Sequence, residues 1–191
     1  MRKIMDVAVF TLLMLVAAEP CHAKKTVWEK LSDCQYIDAK DNDGDSFRVR
    51  CGTKGFVLRL YFVDAPETNL RIADRTREQG EHFGITLDET MRAGILAKEL
   101  VQKLLHEPFI VQTHWASAQG RSKESRYYAF VETGGKNLAE VLVSQGLART
   151  KGTSSKLPSG EKGSKYKERL ELLEHEAQQK RLGAWATSAK Q

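Results

Sequence analysis

The chain has little of what several enzyme classes require. Four histidines lie beyond the N-terminal segment, His82, His106, His114 and His175, and they form no HExxH and no closely spaced pair, so zinc hydrolysis lacks a motif. No Gly-rich phosphate loop and no nucleophile elbow occurs. No internal repeat is visible, which argues against a solenoid. The longest apolar run, Val7 to Ala18, has twelve residues and is too short for a stable bilayer-spanning helix. Three cysteines in 191 residues leave at most one disulfide within the chain.

What is there fits one compact domain: 41% of residues are hydrophobic and 29% charged. Arg2 and Lys3 precede the apolar run, and Cys21-His22-Ala23 ends small, the pattern of a signal peptide over residues 1–23 that leaves a mature domain over 24–191. The residues before Cys21 do not form a lipoprotein box. The expected location is therefore secreted or periplasmic, with no stable membrane anchor after cleavage. The net charge of +5 suits a polyanionic partner, although basic charge alone is a weak signal. Cys34 and Cys51 remain as a pair in an oxidising compartment, and they are either bridged across a hairpin or two buried thiols.

Three strand-like stretches come first, Trp28 to Ile37, Ser46 to Cys51 and Val57 to Val63, punctuated at Asp43-Gly44 and Gly55. Asn69 to Phe83 is charged and irregular, and reads as a surface loop or a short solvated helix whose charges need no functional explanation. Thr86 and Glu89 form a capping-box pattern ahead of a helix to about Leu105, barred from continuing by Pro108. Phe109 to Trp115 and Arg126 to Glu132 read as strands, Asn137 caps a short helix stopped by Gly146, and Lys151 to Gly163 reads as a loop. A last helix carries Tyr166, Leu170, Leu173 and Ala177 on one stripe. The order is that of an OB-fold: a mainly β, five-stranded Greek-key barrel with three α-helices. Topology alone specifies no activity.

The informative residues are Asp43-Gly44-Asp45-Ser46 and the run from Arg59 to Thr68. Separately each piece has an ordinary reading, Asp-Gly as a tight turn and the rest as solvated strand residues. An EF-hand fails, because with Gly44 at the sixth position the twelfth falls on Arg50. Jointly the pieces suit a hard cation. Asp45 on a hairpin and Asp64 at a strand end can supply carboxylate oxygens, and Pro66 keeps Ala65 out of helical geometry so that its carbonyl can face outward as a third ligand. Glu67 could hold a metal-bound water, and Arg59 offers a planar fork to phosphate oxygens.

These segments resemble the staphylococcal nuclease (thermonuclease) family. Downstream, Arg126-Tyr127-Tyr128-Ala129-Phe130-Val131, Gly135-Lys136, Glu140, Gln145-Gly146-Leu147-Ala148 and Leu182 to Trp185 are similar to its second arginine strand and following helices, so the likeness runs from about Gln35 to Trp185. The resemblance implies an exported nuclease cutting DNA or RNA, with Ca2+ held by Asp45, Asp64 and the Ala65 carbonyl. It further implies Glu67 on the attacking water, Arg59 and Arg126 on the phosphoryl oxygens, and a monomer. Arg126 is preferred as the second arginine because it stands twenty residues before Gly146 without a gap and opens an aromatic strand; Arg121, after Gly120, is the alternative. The tyrosines that relatives carry after Gly-Leu-Ala are replaced by Arg149 to Ser154, so base stacking there is not expected. The rival reading is a catalytically inactive OB-fold that only binds nucleic acid or another polyanion.

Overall fold

A computed structural model describes residues 27–118 and 125–189. The expected signal peptide and Arg121 lie outside the described residues. Strands β1 (Glu29–Ile37), β2 (Ser46–Cys51) and β3 (Lys54–Leu60) form a meander, followed by helices α1 (Ala73–Phe83) and α2 (Leu87–Leu104), strands β4 (Phe109–Thr113), β5 (Arg126–Thr133) and β6 (Lys136–Asn137), and helices α3 (Leu138–Ser144) and α4 (Gly163–Gln179). A parallel pairing of β3 with β5 closes the antiparallel sheet, so five strands form a ring in the order β1-β2-β3-β5-β4. This is the OB-type barrel expected from the element order.

The barrel follows from period-two burial. In β2, Phe47, Val49 and Cys51 point inward while Arg48 and Arg50 face out; in β4, Phe109, Val111 and Thr113 are the inward set. Cys34 and Cys51 are direct partners in the β1–β2 ladder, with Cα atoms 4.2 Å apart, and they form a disulfide. The capping box starts α2: Thr86 Oγ1 accepts from the Glu89 amide at 3.3 Å, and Glu89 Oε2 accepts from the Thr86 amide at 2.8 Å.

Two expectations change. The third strand runs from Lys54 to Leu60 rather than from Val57 to Val63, because a turn at Gly52-Thr53 lets pairing begin early and Phe62, at φ 68°, bends the chain out of the ladder. Asn69 to Phe83 takes the helical one of its two expected forms, but the helix is partly buried rather than solvated. A single 3-10 turn over Leu70–Ile72 leads into α1, which buries Thr76, Gln79, Gly80 and Phe83 and adds a fourth helix to the three expected.

Candidate active site

The hairpin between β1 and β2 and the chain leaving β3 meet at one end of the barrel. Asp43 Oδ1 accepts from the amides of Asp45 and Ser46, at 3.0 and 2.6 Å, and so closes the turn. Gly44 allows the close approach: a Cβ there would lie 2.7 Å from the Cβ of Ala97 on α2 and 2.8 Å from that of Ala65. The turn aims Asp45 inward, where it is buried, with Oδ2 accepting from the Ala65 amide at 3.0 Å. Asp64 is fixed from the far side by a two-way backbone bridge to Arg149, both bonds at 3.0 Å.

Three guanidinium groups converge on these carboxylates. Arg59 Nη2 donates to Asp45 Oδ2 at 3.1 Å and to Asp64 Oδ1 at 3.2 Å. Arg149 donates through Nε and Nη2 to Asp64 Oδ2, each at 2.8 Å. Arg75, on α1, pairs with Asp64 Oδ1 and places Nε 3.1 Å from Glu67 Oε1. Gln79, one helical turn further along α1, donates to Asp64 Oδ2 at 3.0 Å and to the Ala65 carbonyl at 2.9 Å, and accepts from the Glu67 amide at 2.8 Å. The Ala65 carbonyl therefore does not face outward as expected: Ala65 is buried, and docking of α1 brings Gln79 onto its oxygen.

The charges shift one another accordingly. Burial would raise the Asp64 carboxyl, yet Arg75, Gln79, Arg149 and Arg59 together hold it below the usual range. Glu67 goes the other way, raised by burial and by the charges of Asp45 and Asp64 despite Arg75 and Arg59. Asp43 is pushed well up, by burial and then by Asp45.

Arg126 stands apart. It opens β5 opposite Val57, two register positions before the Arg59–Tyr128 pair. Among the described residues its Nη1 donates to Ser46 Oγ at 3.3 Å and its Nε to the Ala118 carbonyl at 3.2 Å, with no carboxylate among these partners. Ser46, which Arg126 bonds, is the ladder partner of Arg59, so the strand that carries Arg59 runs between the two.

A family model described as staphylococcal nuclease homologue matches residues 57–187, more than half of the chain. The chain belongs to that family. The match takes in Arg59, Asp64, Ala65, Glu67 and Arg126 and starts after Asp45. Among curated relatives, the Endonuclease YncB of Bacillus subtilis (strain 168) is 27% identical over 146 residues, 76% of this chain. The chain spans 59% of the length of that relative.

Whether this nuclease homologue can hold a hard cation is a question of donor atoms. Among the described residues no group of three or more His, Cys, Asp or Glu side chains makes a ready metal site. The candidate oxygen donors are the Asp45 and Asp64 carboxylates and the Ala65 carbonyl, which Gln79 occupies. One atom speaks for a cation: Asp45 Oδ1 is buried and has no hydrogen-bond partner. The set is all oxygen, which fits calcium chemistry.

Sequence reasoning missed Arg75, Gln79 and Arg149. Arg75 and Gln79 are spaced i, i+4, the spacing of one helix face, and that was the available signal; it was masked by the surrounding charges of Asp74, Arg77, Glu78 and Glu81. Arg149 follows directly on Gly146-Leu147-Ala148, a segment that carried the family resemblance. Where relatives place tyrosines, Thr153 Oγ1 here donates to the Tyr128 hydroxyl at 2.8 Å, and Tyr128 stacks on Tyr61 with ring centroids 4.9 Å apart.

Proposed function

We propose that this chain is an exported, calcium-dependent nuclease that hydrolyses phosphodiester bonds of DNA or RNA as a monomer. The observation that carries the reading is the meeting of Asp45 and Asp64 with Arg59, and of Glu67 with Arg75, at one barrel end, together with an arginine, Arg126, held by neutral partners. Family membership supports the reaction class. Export is supported by the signal-peptide pattern and by the Cys34–Cys51 bridge, a bond that persists in oxidising compartments. Among the described residues no helix is long and apolar enough to cross a membrane.

Hydrolysis of a phosphodiester places extra negative charge on the phosphoryl oxygens as phosphorus becomes five-coordinate. Arg126 supplies a planar donor fork to those oxygens, and Arg59 a second one from the neighbouring strand. Glu67 holds the attacking water and takes its proton; its raised affinity for protons fits that task. Asp45 and Asp64 are the residues that would hold calcium, and the Ala65 carbonyl would join them only on giving up its hydrogen bond from Gln79. When bound, that ion supplies Lewis-acid stabilisation of phosphoryl charge.

The non-catalytic binding module is favoured by one feature, the saturation of both Asp64 oxygens by arginines and Gln79. Digestion of supercoiled plasmid and of RNA by the purified protein decides between them. The nuclease reading expects strand cleavage with calcium and its loss on chelation. Full activity after exhaustive chelation would end the calcium assignment, and binding without cleavage in calcium would establish the module.

A further inference from the structure

Three arginines neutralise the acidic pocket, and they differ in freedom. The Arg149 side chain is 4% exposed and its backbone is bridged to Asp64; the Arg59 side chain is 12% exposed and grows from the closed barrel wall. Arg75 is 27% exposed, at the end of a long side chain on α1. Among the ion pairs it also has the widest reach: its guanidinium contacts Asp64 Oδ1, lies 3.9 Å from Asp45 Oδ2, and lies 3.1 Å from Glu67 Oε1. One cation thus touches the three acidic residues on which the proposed metal chemistry depends.

We propose that Arg75 is the removable counter-ion of this pocket: it holds Asp45, Asp64 and Glu67 together in the metal-free protein, and a divalent cation must displace it to bind. The inference rests on the reading that the pocket takes such a cation. Asp64 Oδ1 already accepts from both Arg59 and Arg75, so a metal bound to that oxygen would share it with two guanidinium groups. Like charges at that separation repel strongly in a site of low water content. Of the two, Arg75 is the more exposed, 27% against 12%, and is not anchored in the barrel wall. The buried, unpartnered Asp45 Oδ1 shows that the guanidinium groups leave one donor unused, and a hard cation would satisfy it. Calcium affinity is therefore set against the Arg75 ion pairs, and the same contacts protect the carboxylates from mutual repulsion when calcium is scarce.

The test is calcium titration by isothermal calorimetry on the whole protein, paired with thermal melts in chelator. Arg75→Gln should bind calcium more tightly than wild type, on the order of tenfold, as expected when one of two competing ligands is removed. It should also melt lower without metal and gain more from calcium. Arg77→Gln removes the same charge from an exposed position on α1 and should leave calcium affinity unchanged. Should Arg75→Gln not fold, Arg75→Lys keeps the charge without the fork that spans Glu67 and Asp64, and should bind with intermediate affinity. Equal or weaker affinity in the Arg75 variants overturns the role of Arg75 and leaves the calcium reading standing. No calcium bound by wild type or variant overturns both.

Discussion

The two sides of the candidate site are built on opposite principles. On the Arg59 side, three arginines and Gln79 are tied to Asp45, Asp64 and Glu67, and the geometry is held by charge in a buried pocket. On the Arg126 side, a hydroxyl and a backbone carbonyl position one arginine, and no carboxylate among its described partners competes for it. The first arrangement suits a pocket that exchanges one cation for another. The second suits an arginine that waits for an anion.

The largest expected effect separates the two sides by what is lost. Arg59→Ala and Arg126→Ala should each lower the cleavage rate by about 10²–10³-fold, the usual consequence of removing one donor from developing charge. Only Arg59→Ala should also lower stability, by about 3 kcal/mol, because it leaves buried carboxylates short of a partner. Chemical denaturation of both variants beside wild type checks this, and an equal loss in both would dissolve the contrast.

Next comes Gly94→Ala on α2. A Cβ there would sit 2.5 Å from the carbonyl oxygens of Pro66 and Glu67, so the backbone behind Glu67 must shift. Overpacking of this kind costs about 1–3 kcal/mol. Turnover should fall while affinity for a single strand, which depends on the basic surface, stays near wild type; anisotropy and initial rates on one preparation check the split.

The pH dependence of stability should also follow the charged side. Asp64 is held below its ordinary range, so its contribution is present above the unfolded carboxyl value of about 3.9 and lost as pH falls through the lower folded value. Melting temperatures between pH 6 and pH 2 should therefore drop less steeply for Asp64→Asn than for wild type. Arg126→Ala should keep the wild-type acid limb.

The smallest effect is expected from Ser46→Ala, which removes one hydrogen bond from Arg126 and leaves the one to Ala118. A loss of about 1 kcal/mol, under tenfold in rate, is the expected size. A loss as large as that of Arg126→Ala would mean that Ser46 does more than orient the guanidinium.

Legibility in the sequence followed the range of the interactions. Short-range signals were readable: the Asp43 turn, the Thr86–Glu89 box and the alternation in β2 all depend on residues close in the chain, whereas the choice between bridged and free Cys34 and Cys51 needed the strand register. Of the residues in the pocket, Asp45, Arg59, Asp64 and Glu67 were legible because they cluster around one strand exit. Arg75 and Gln79 were not, since an amphipathic surface helix and a helix that inserts two polar side chains into a buried site have the same charge pattern until docking is known. Arg149 was hidden for a related reason: an arginine after a helix reads as solvated, and only the bridge to Asp64 buries it.

The central claim, that an acidic pocket and a separately held arginine act together on a phosphodiester, is tested most directly by Arg126→Lys. Lysine keeps the charge that governs attraction to a polyanion but loses the bidentate fork. Affinity for a short single strand is measured by fluorescence anisotropy across a salt series, and the initial rate of cleavage is measured in calcium. The account predicts affinity and salt slope close to wild type with a cleavage rate lower by orders of magnitude. Cleavage near the wild-type rate would contradict it.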